Sequence, residues 1–319
     1  MIISILLIVI GMVLVLWGAD RLTDGAVAIA KRMNVPEIVI GLTIVAMGTS
    51  MPEFCVSFAS ALKGTADLAV GNVVGSNIFN AMLIVGVAAM VAPITILKNT
   101  VRKDIPFAIF ASLMLLQMGL NYNITRTEAF VLFIMFAVFT IYTIMMAKGN
   151  VEENKNEKEN EKKYNGSKWS AFFCNPAFGV VFGLSALIFG SNIFVDSATE
   201  VARLMGVSEA IIGLTIVAAG TSLPELATSI VSARKGQSGI AIGNVIGSNV
   251  FNILFIIGLT GMVTPMHISG LTTIDFAVML LSMLLLWLMS FTKYTLSRWE
   301  GAVLTGLYIM YVGWLIYNV

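Results

Sequence analysis

The chain has 319 residues, of which 58% are hydrophobic and only 12% are charged, and its mean hydropathy is +0.91. These values exclude an ordinary soluble globular domain, and a net charge of +1 gives no indication of a nucleic-acid partner. Apolar runs long enough to cross a lipid bilayer are distributed along the whole chain, whereas an outer-membrane barrel would show shorter, alternating segments. The sequence therefore predicts an all-α polytopic membrane protein.

Ten spanning helices are predicted in chain order. The first is interpreted as a retained helix and not as a cleaved signal peptide, because no basic residue precedes its apolar run. Several spans exceed the roughly 20 residues that cross a bilayer, so we expect them to tilt or break. The predicted ranges are 2–30, 36–62, 67–92, 104–120, 126–147, 170–202, 208–233, 239–264, 272–291 and 299–318.

A charged segment divides these spans into two groups of five. Residues 148–168 read KGNVEENKNEKENEKKYNGSK, which is dense in both signs of charge, so a solvated linker is predicted between 1–147 and 169–319. If both termini are outside, the linker and the cytoplasmic loops hold fifteen Lys and Arg residues and the outside loops hold three. The positive-inside rule therefore predicts an integral protein of the cell (plasma or inner) membrane with both termini outside and a cytoplasmic linker.

The two groups of five spans are copies of one another. Fourteen of the nineteen residues in 35–53 are identical to those found 172 positions later, and GNVVGSNIFN at 71–80 matches GNVIGSNVFN at 243–252 at eight of ten positions. Five spans in each copy is an odd number, so the second copy enters the membrane from the opposite side. We therefore predict two inverted five-helix repeats, which are typical of secondary transporters with a site at the repeat interface near the midplane.

Each copy carries a motif that should break a helix at the membrane midplane. The first reads GTSMPEF at 48–54 and the second reads GTSLPEL at 220–226. Glycine loosens a helix, and proline removes a backbone donor and disfavours helical geometry in the residue before it. We predict that the carbonyls around Ala46 and Met47 and, in the second copy, Ala218 and Ala219 lose their helical partners and face a cavity.

The polar residues of these motifs are all oxygen donors. Thr49 and Glu53 are four residues apart, as are Ser76 and Asn80, so each pair shares a helix face. Carboxylate, hydroxyl, amide and carbonyl oxygens suit Ca²⁺ or Na⁺, whereas zinc or copper prefers histidine or cysteine. The candidate metal ligands are Glu53, Glu225, Thr49, Thr221, Ser50, Ser222, Ser76, Ser248, Asn80, Asn252 and the carbonyls of Ala46 and Ala218.

The charge of the two glutamates indicates what the site must bind. Two carboxylates near the bilayer centre are costly unless they are neutralised, and Arg21, which lies within a predicted span, is toward the end of that span. A divalent cation, two or more monovalent cations, or protons would each neutralise the pair. Mutually exclusive occupancy of one site by different ions is the requirement for exchange, and no cofactor is expected.

The motif pairs GTSMPE with GNVVGSNIFN and GTSLPE with GNVIGSNVFN resemble the α-repeats of sodium/calcium exchangers in the cation/calcium antiporter superfamily. The resemblance covers both halves and implies a ten-helix inverted-repeat fold that exchanges Ca²⁺ for several Na⁺ by alternating access. It implies that Glu53 and Glu225 bind both ions and that the two motif threonines assist them. It further implies that the motif serines bind Na⁺ and that Ala46 and Ala218 offer carbonyl oxygens.

Asn80 and Asn252 depart from the pattern of several exchangers of this family, which have aspartate at one or both positions. The site then has two formal negative charges, which leaves the stoichiometry and any potassium dependence open. A Ca²⁺/H⁺ antiporter is therefore the alternative function. Proton-coupled relatives tend to show Asn-Ala-x-Glu where this chain has Gly-Thr-Ser-x-Pro-Glu, so the resemblance favours sodium.

The sequence argues against two other classes of function, a channel and an enzyme. A cation channel is a remote alternative, because a fused inverted repeat argues against the axial pore of an oligomer, and a single chain is sufficient for antiport in principle. An enzyme is not predicted, since no His or Lys in any predicted span could activate Ser50. For Asn77 and Asn249 two roles stay open, interhelical hydrogen bonding and ion contact. For Asp24 and Asp196 the two roles are that of a helix-end residue and that of a gate. The glycines of the duplicated ten-residue motif are predicted to permit close helix packing.

Overall fold

The structure, a computed structural model, describes residues 2–153, 176–205 and 218–318. These residues are almost entirely helical, as expected where backbone polar groups must be satisfied without water. We number the helices in chain order and count each broken span as two. They are α1 Ile2–Met33, α2 Glu37–Thr49, α3 Met51–Leu62, α4 Ala66–Val91, α5 Thr100–Leu120, α6 Arg126–Glu153, α7 Pro176–Leu204, α8 Ala218–Thr221, α9 Leu223–Arg234, α10 Ser238–Val263, α11 Thr273–Ser290 and α12 Arg298–Asn318.

Eight of the described helices are long and apolar enough to cross a membrane, and the bent pair α2 and α3 makes nine if it counts as one span. Each of them coincides with a predicted span. The predicted span 208–233 is described from residue 218 onward, as α8 and α9, whereas residues 208–217 lie outside the described chain. The chain is therefore a mostly helical membrane protein with eight to nine candidate spans in its described part, and the tenth span stays a prediction.

The predicted linker begins within a helix, because α6 continues to Glu153 and does not end at residue 147. Residues 154–175, which include most of the predicted linker and the start of the predicted span 170–202, lie outside the described chain. The division of the chain at 148–168 stays a prediction.

The predicted helix break occurs at Ser50, where α2 meets α3 at an angle of 47°. Ser50 has φ −82° and ψ 9°, in the bridge region, and Pro52 lies in the first turn of α3, where a missing N–H costs no helical hydrogen bond. The N–H of Ser50 still donates to the carbonyl of Ala46 at 3.0 Å, so the prediction that Ala46 loses its helical partner is wrong. Ser222 has the same geometry before α9, with φ −91° and ψ 8°, and the freed carbonyl of Ala218 stays a prediction.

Four two-residue strands join the two halves of the chain. Strand β1 (Ile94–Thr95) pairs antiparallel with β4 (Thr295–Leu296), and β2 (Asn123–Ile124) pairs antiparallel with β3 (Met266–His267). A shift of 172 positions converts one pairing into the other. Because β1 precedes α5 and pairs with the strand that follows α11, while β2 follows α5 and pairs with the strand that precedes α11, helix α5 and its copy α11 run in opposite directions.

Helices α4 and α10 form the centre of the molecule, since 78% and 94% of their apolar windows are buried, against 17% for α12. Helix α10 approaches α2 to backbone contact through two glycines. A Cβ atom at Gly243 would lie 2.8 Å from the carbonyl oxygen of Ile38, and one at Gly247 would lie 2.6 Å from that of Leu42. These glycines of the second copy therefore permit the close packing that was predicted, and they hold the broken helix against the centre. Their copies Gly71 and Gly75 have no such close neighbour, so the prediction is wrong for the first copy.

Candidate cation site

The two motif glutamates begin helices inside the molecule. Glu53 lies in the first turn of α3 and Glu225 in the first turn of α9, each directly after the proline that follows the break. Glu53 is 1% exposed and Glu225 is fully buried. A carboxylate in the first turn of a helix is stabilised by the unpaired N–H groups and the dipole of that end, which compensates part of the cost of its burial.

The two copies of the motif bind each other. The Ser50 hydroxyl donates to Glu225 Oε1 at 2.8 Å, and the Ser222 hydroxyl donates to Glu53 Oε1 at 2.8 Å. Each serine thus binds the carboxylate of the opposite repeat, although we expected hydroxyl and carboxylate to converge within one segment. These crossed bonds bring both helix breaks to one place.

Four asparagines of the duplicated ten-residue motif, two from each copy, connect α4 and α10 beside the glutamates. Asn77 Nδ2 donates to the carbonyl of Asn249 at 3.4 Å, and Asn249 Nδ2 donates to the carbonyl of Asn77 at 3.3 Å. Asn80 Nδ2 donates to Asn249 Oδ1 at 3.0 Å, and Asn252 Nδ2 donates to Asn77 Oδ1 at 3.1 Å. Of the two roles left open for Asn77 and Asn249, the structure supports interhelical hydrogen bonding.

Several buried oxygens at this place have no hydrogen-bond partner among the described residues. They include Glu53 Oε2 and Glu225 Oε2, and the amide oxygens of Asn80 and Asn252. The hydroxyl of Ser248 is a fifth such atom. Buried polar atoms without a partner are rare and costly, and oxygens left in this way are the ligands that Ca²⁺ and Na⁺ prefer.

The remaining predicted ligands are near this cluster but differ in their partners. Ser76 Oγ lies 3.4 Å from Ser222 Oγ. The hydroxyl of Thr49 lies 3.1 Å from Asn244 Oδ1 and 3.3 Å from the carbonyl of Ala46, so it joins α2 to α10. Thr221 is half-buried in α8. The ligand role of these residues, and of the Ala46 and Ala218 carbonyls, stays a prediction.

Two further asparagines were missed in the sequence. Asn72 Nδ2 donates to the carbonyl of Glu53 at 3.2 Å and to Ser57 Oγ at 2.9 Å. Asn244 Nδ2 donates to the carbonyl of Glu225 at 3.2 Å and to the hydroxyl of Ser229 at 3.0 Å. Both asparagines occupy the second position of the duplicated ten-residue motif, and that repetition was the signal that could have identified them. They fix the main chain at the two glutamates.

The charge of the site is not compensated by basic residues. Within residues 2–153, 176–205 and 218–318, neither glutamate forms an ion pair, and no group of three or more His, Cys, Asp or Glu side chains could hold a metal ion. Arg21 is exposed and lies over the ring of Trp17, 5.8 Å from its centre. The charged groups buried at this place are therefore two carboxylates, surrounded by neutral oxygens.

Comparison with known proteins gives one family for both halves of the chain. The family model described as "Sodium/calcium exchanger protein" matches residues 3–145 and 175–317. The chain is 36% identical over 317 residues to the "Putative antiporter CaxA" of Alkalimonas amylolytica, with 98% of each chain covered. It is 33% identical over 352 residues to the "Sodium/calcium exchanger MaX1" of Methanosarcina acetivorans, with 99% of each chain covered.

Solved structures agree with this result. A structure of the sodium-calcium exchanger NCX_Mj soaked with Na⁺ and Ca²⁺ superposes with a TM-score of 0.84 at 28% sequence identity, and 98% of each chain is covered. A structure of the same exchanger soaked with Na⁺ and without Ca²⁺ gives a TM-score of 0.83 at 29% identity over the same share. The chain therefore belongs to the sodium/calcium exchanger family, which consists of cation transporters and not of enzymes.

Proposed function

We propose that this protein is a secondary antiporter that exchanges Ca²⁺ for Na⁺ across the cell membrane by alternating access. The observation that carries the proposal is the crossed pair of serine–glutamate hydrogen bonds, 2.8 Å each, beside five buried oxygens without a partner among the described residues. A single cluster of oxygens from both repeats suits one Ca²⁺ or several Na⁺, but not both at once.

The proposed architecture is two inverted five-helix repeats related by a two-fold axis. Its support is that α5 and α11 run in opposite directions and that the crossed contacts occur in pairs separated by 172 residues. The proposed orientation puts both termini outside. Five basic residues flank β1 and β4 at one end of the bundle, which agrees with a cytoplasmic end: Lys98, Arg102, Lys103, Lys293 and Arg298.

The contacts suggest how each residue acts during exchange. The unpartnered oxygens Glu53 Oε2 and Glu225 Oε2 bind the cation directly, and Asn80 and Asn252 contribute neutral oxygens. The Ser50 and Ser222 hydroxyls join the two repeats through the carboxylates, so the charge of the site determines how strongly the repeats attract one another. An empty site with two negative charges is unfavourable in a low-dielectric centre, which disfavours switching without an ion.

The coupling ion is the finer part of the proposal. Sodium is favoured because six motif hydroxyls and two amide oxygens supply neutral ligands, which a proton does not need. Proton coupling is the second candidate, because the site has two formal charges and two protons would neutralise it as completely as one Ca²⁺. A cation channel receives no specific support from the site.

Radioactive Ca²⁺ flux in proteoliposomes tests the proposal. The full chain is reconstituted, and Ca²⁺ uptake is measured with an imposed Na⁺ gradient and separately with an imposed pH gradient. We expect saturable uptake that follows the Na⁺ gradient and requires the counter-ion. Uptake driven by the pH gradient alone would reassign the coupling ion to the proton, and unsaturable flux without a counter-ion would indicate a channel.

A further inference from the structure

A cavity separate from the cation site lies between α2, α5 and α6. Its first part, about 80 Å³, is lined by apolar residues, mainly of α2, and by polar residues at the beginning of α5 and near the end of the α6 span, among them Thr100, Lys103, Asp104, Tyr142 and Thr143. A second part, about 180 Å³, shares Lys103, Asp104 and Tyr142 and adds three apolar side chains: Phe107, Val138 and Phe139. The second part lies deeper along both helices, so polarity falls from the helix ends toward the membrane interior.

The polar part contains both signs of charge and an unused hydroxyl. Lys103 Nζ donates to the hydroxyl of Tyr142 at 3.2 Å and lies 5.9 Å from the centre of its ring. The half-buried carboxylate of Asp104 lines the same space. Thr143 is 7% exposed, and its Oγ1 finds no hydrogen-bond partner among the described residues. A ligand with an anionic group beside a hydrogen-bonding cationic group would complement all of these.

The apolar part opens toward lipid. The rings of Phe107 and Phe139 stack with centres 4.7 Å apart, and Phe139 is 5% exposed, so they form a firm inner wall. Val138 and Tyr142 are 59% and 43% exposed on the outer face of α6. A chain that enters from the bilayer can therefore lie along this wall while its polar end reaches the helix ends.

The polar residues that line this cavity are not repeated in the second half of the chain. The positions 172 residues after Lys103, Asp104 and Thr143 are Asp275, Phe276 and Leu315. Phe276 is 1% exposed and fills the core, and Asp275 caps α11 through Thr272. Because the cation site is built from both copies, polar residues that occur in one copy only indicate a different purpose.

We propose that this cavity binds a phospholipid whose headgroup carries a primary amine, of the phosphatidylethanolamine type. The phosphate accepts hydrogen bonds from Lys103 Nζ and Tyr142 Oη, and the ammonium donates to Asp104 and to Thr143 Oγ1. The acyl chain starts along Phe107 and Phe139. Phosphatidylglycerol lacks a cation for Asp104, and phosphatidylcholine lacks N–H donors, so both fit less well.

Binding to the purified full chain tests this assignment. Native mass spectrometry and thermal unfolding are measured with phosphatidylethanolamine, phosphatidylglycerol and phosphatidylcholine of identical acyl chains, and with soluble phosphoethanolamine. We expect phosphatidylethanolamine to bind and stabilise most. Asp104→Asn should weaken its binding by about tenfold and remove its advantage over phosphatidylcholine, since one charge-assisted hydrogen bond is lost. Arg102→Gln, an exposed change next to the cavity, is the matched control and should leave the preference intact.

A second variant keeps the test decisive if Asp104→Asn folds poorly. Thr143→Val preserves the shape of a side chain that has no protein partner, so its stability without lipid should be unchanged while the preference for phosphatidylethanolamine falls. Equal stabilisation by phosphatidylglycerol would show that the cavity recognises only the negative charge of the lipid, and it would overturn the proposal. Stabilisation by soluble phosphoethanolamine as strong as by the lipid would overturn the lipid as occupant.

Discussion

The centre of this molecule preserves contacts of the internal duplication that part of its periphery has lost. At the centre, several contacts have a copy of nearly the same length, as in the two serine–glutamate bonds of 2.8 Å. At the periphery, Lys235 binds Asp20 and Asp24 at 2.7 Å each, whereas its copy Lys63 is exposed. The copy of Asp20 is Asn192, which carries no charge.

This difference has a physical reason: the symmetric contacts surround the proposed ion site, whereas the asymmetric ones lie at the membrane faces. In the proposed function the ion binds a cluster to which both repeats contribute, so a change in one copy would alter half of the ligands of the same ion. The helix ends face the solutions on the two sides of the membrane, so their residues need not be the same in the two copies. The symmetric residues therefore predict effects on transport, and the asymmetric ones predict effects on stability or on lipid binding.

The strongest way to test the symmetry of the centre is to neutralise each glutamate separately. Glu53→Gln and Glu225→Gln each keep the side-chain shape and remove one of two charges, so we expect Na⁺-driven Ca²⁺ uptake to fall to background in both. Glu200→Gln, which changes an exposed carboxylate of α7, is the control and should transport normally. Near-normal uptake in either site variant would show that the two copies are not equivalent.

A smaller effect is expected from the crossed serines. Ser50→Ala and Ser222→Ala each remove a hydrogen bond to a carboxylate, which should weaken the apparent Ca²⁺ affinity by about tenfold. Concentration dependence of Ca²⁺ uptake gives the value. Ser112→Ala is a matched control, because the buried hydroxyl of Ser112 donates to Ala108 within its own helix. A tenfold loss in one variant and none in the other would contradict the paired geometry.

Much of the fold could be predicted because lipid imposes a simple rule on sequence. Apolar runs of sufficient length become helices, and each described long helix coincides with a predicted span. The continuation of α6 to Glu153 was missed, since polar residues beyond the membrane give no hydropathy signal. The strands were also missed, because two residues are too few for a periodic pattern.

The helix break was predicted from its residue types, but the contacts around it were not. Glycine, proline and glutamate in an apolar segment indicated a break, and the break is at Ser50. The sequence could not show that Ser50 binds Glu225 and not Glu53, because that choice depends on how two distant segments meet. The helical bond to Ala46 survives because its donor is the N–H of Ser50, two residues before Pro52, and the proline does not remove it.

A third change adds charge to the centre. Asn80→Asp or Asn252→Asp gives the site a third carboxylate at an amide oxygen that now lacks a partner among the described residues. We expect one additional monovalent cation or proton to be bound in each cycle, which shifts the reversal potential of exchange. The same shift should result from either variant if the copies are equivalent. An unchanged charge per Ca²⁺ would argue that these oxygens do not face the ion.

The smallest expected effect concerns the asymmetric ion pair at the periphery. Lys235→Gln should lower the unfolding temperature by about 1–3 °C, because partly exposed pairs contribute little. Lys63→Gln, the copy of this change in the first repeat, should leave the unfolding temperature unaltered. Thermal unfolding of both variants beside the unmodified protein measures the difference. Equal losses would mean that the ends are as symmetric as the centre.

The pH dependence of that difference identifies its cause. Partial burial alone would lower the pKa of Lys235, but hydrogen bonds and charge from Asp20 and Asp24 outweigh it and raise the pKa above its ordinary value. A raised pKa stabilises the folded state below the unfolded pKa of about 10.4, and this stabilisation disappears as the pH rises through the folded value. The difference between Lys235→Gln and the unmodified protein should therefore be constant at neutral pH and vanish only in strong alkali. A difference that already vanished near neutrality would exclude the ion pair as its source, and the loss would then come from packing of the lysine stem against α1.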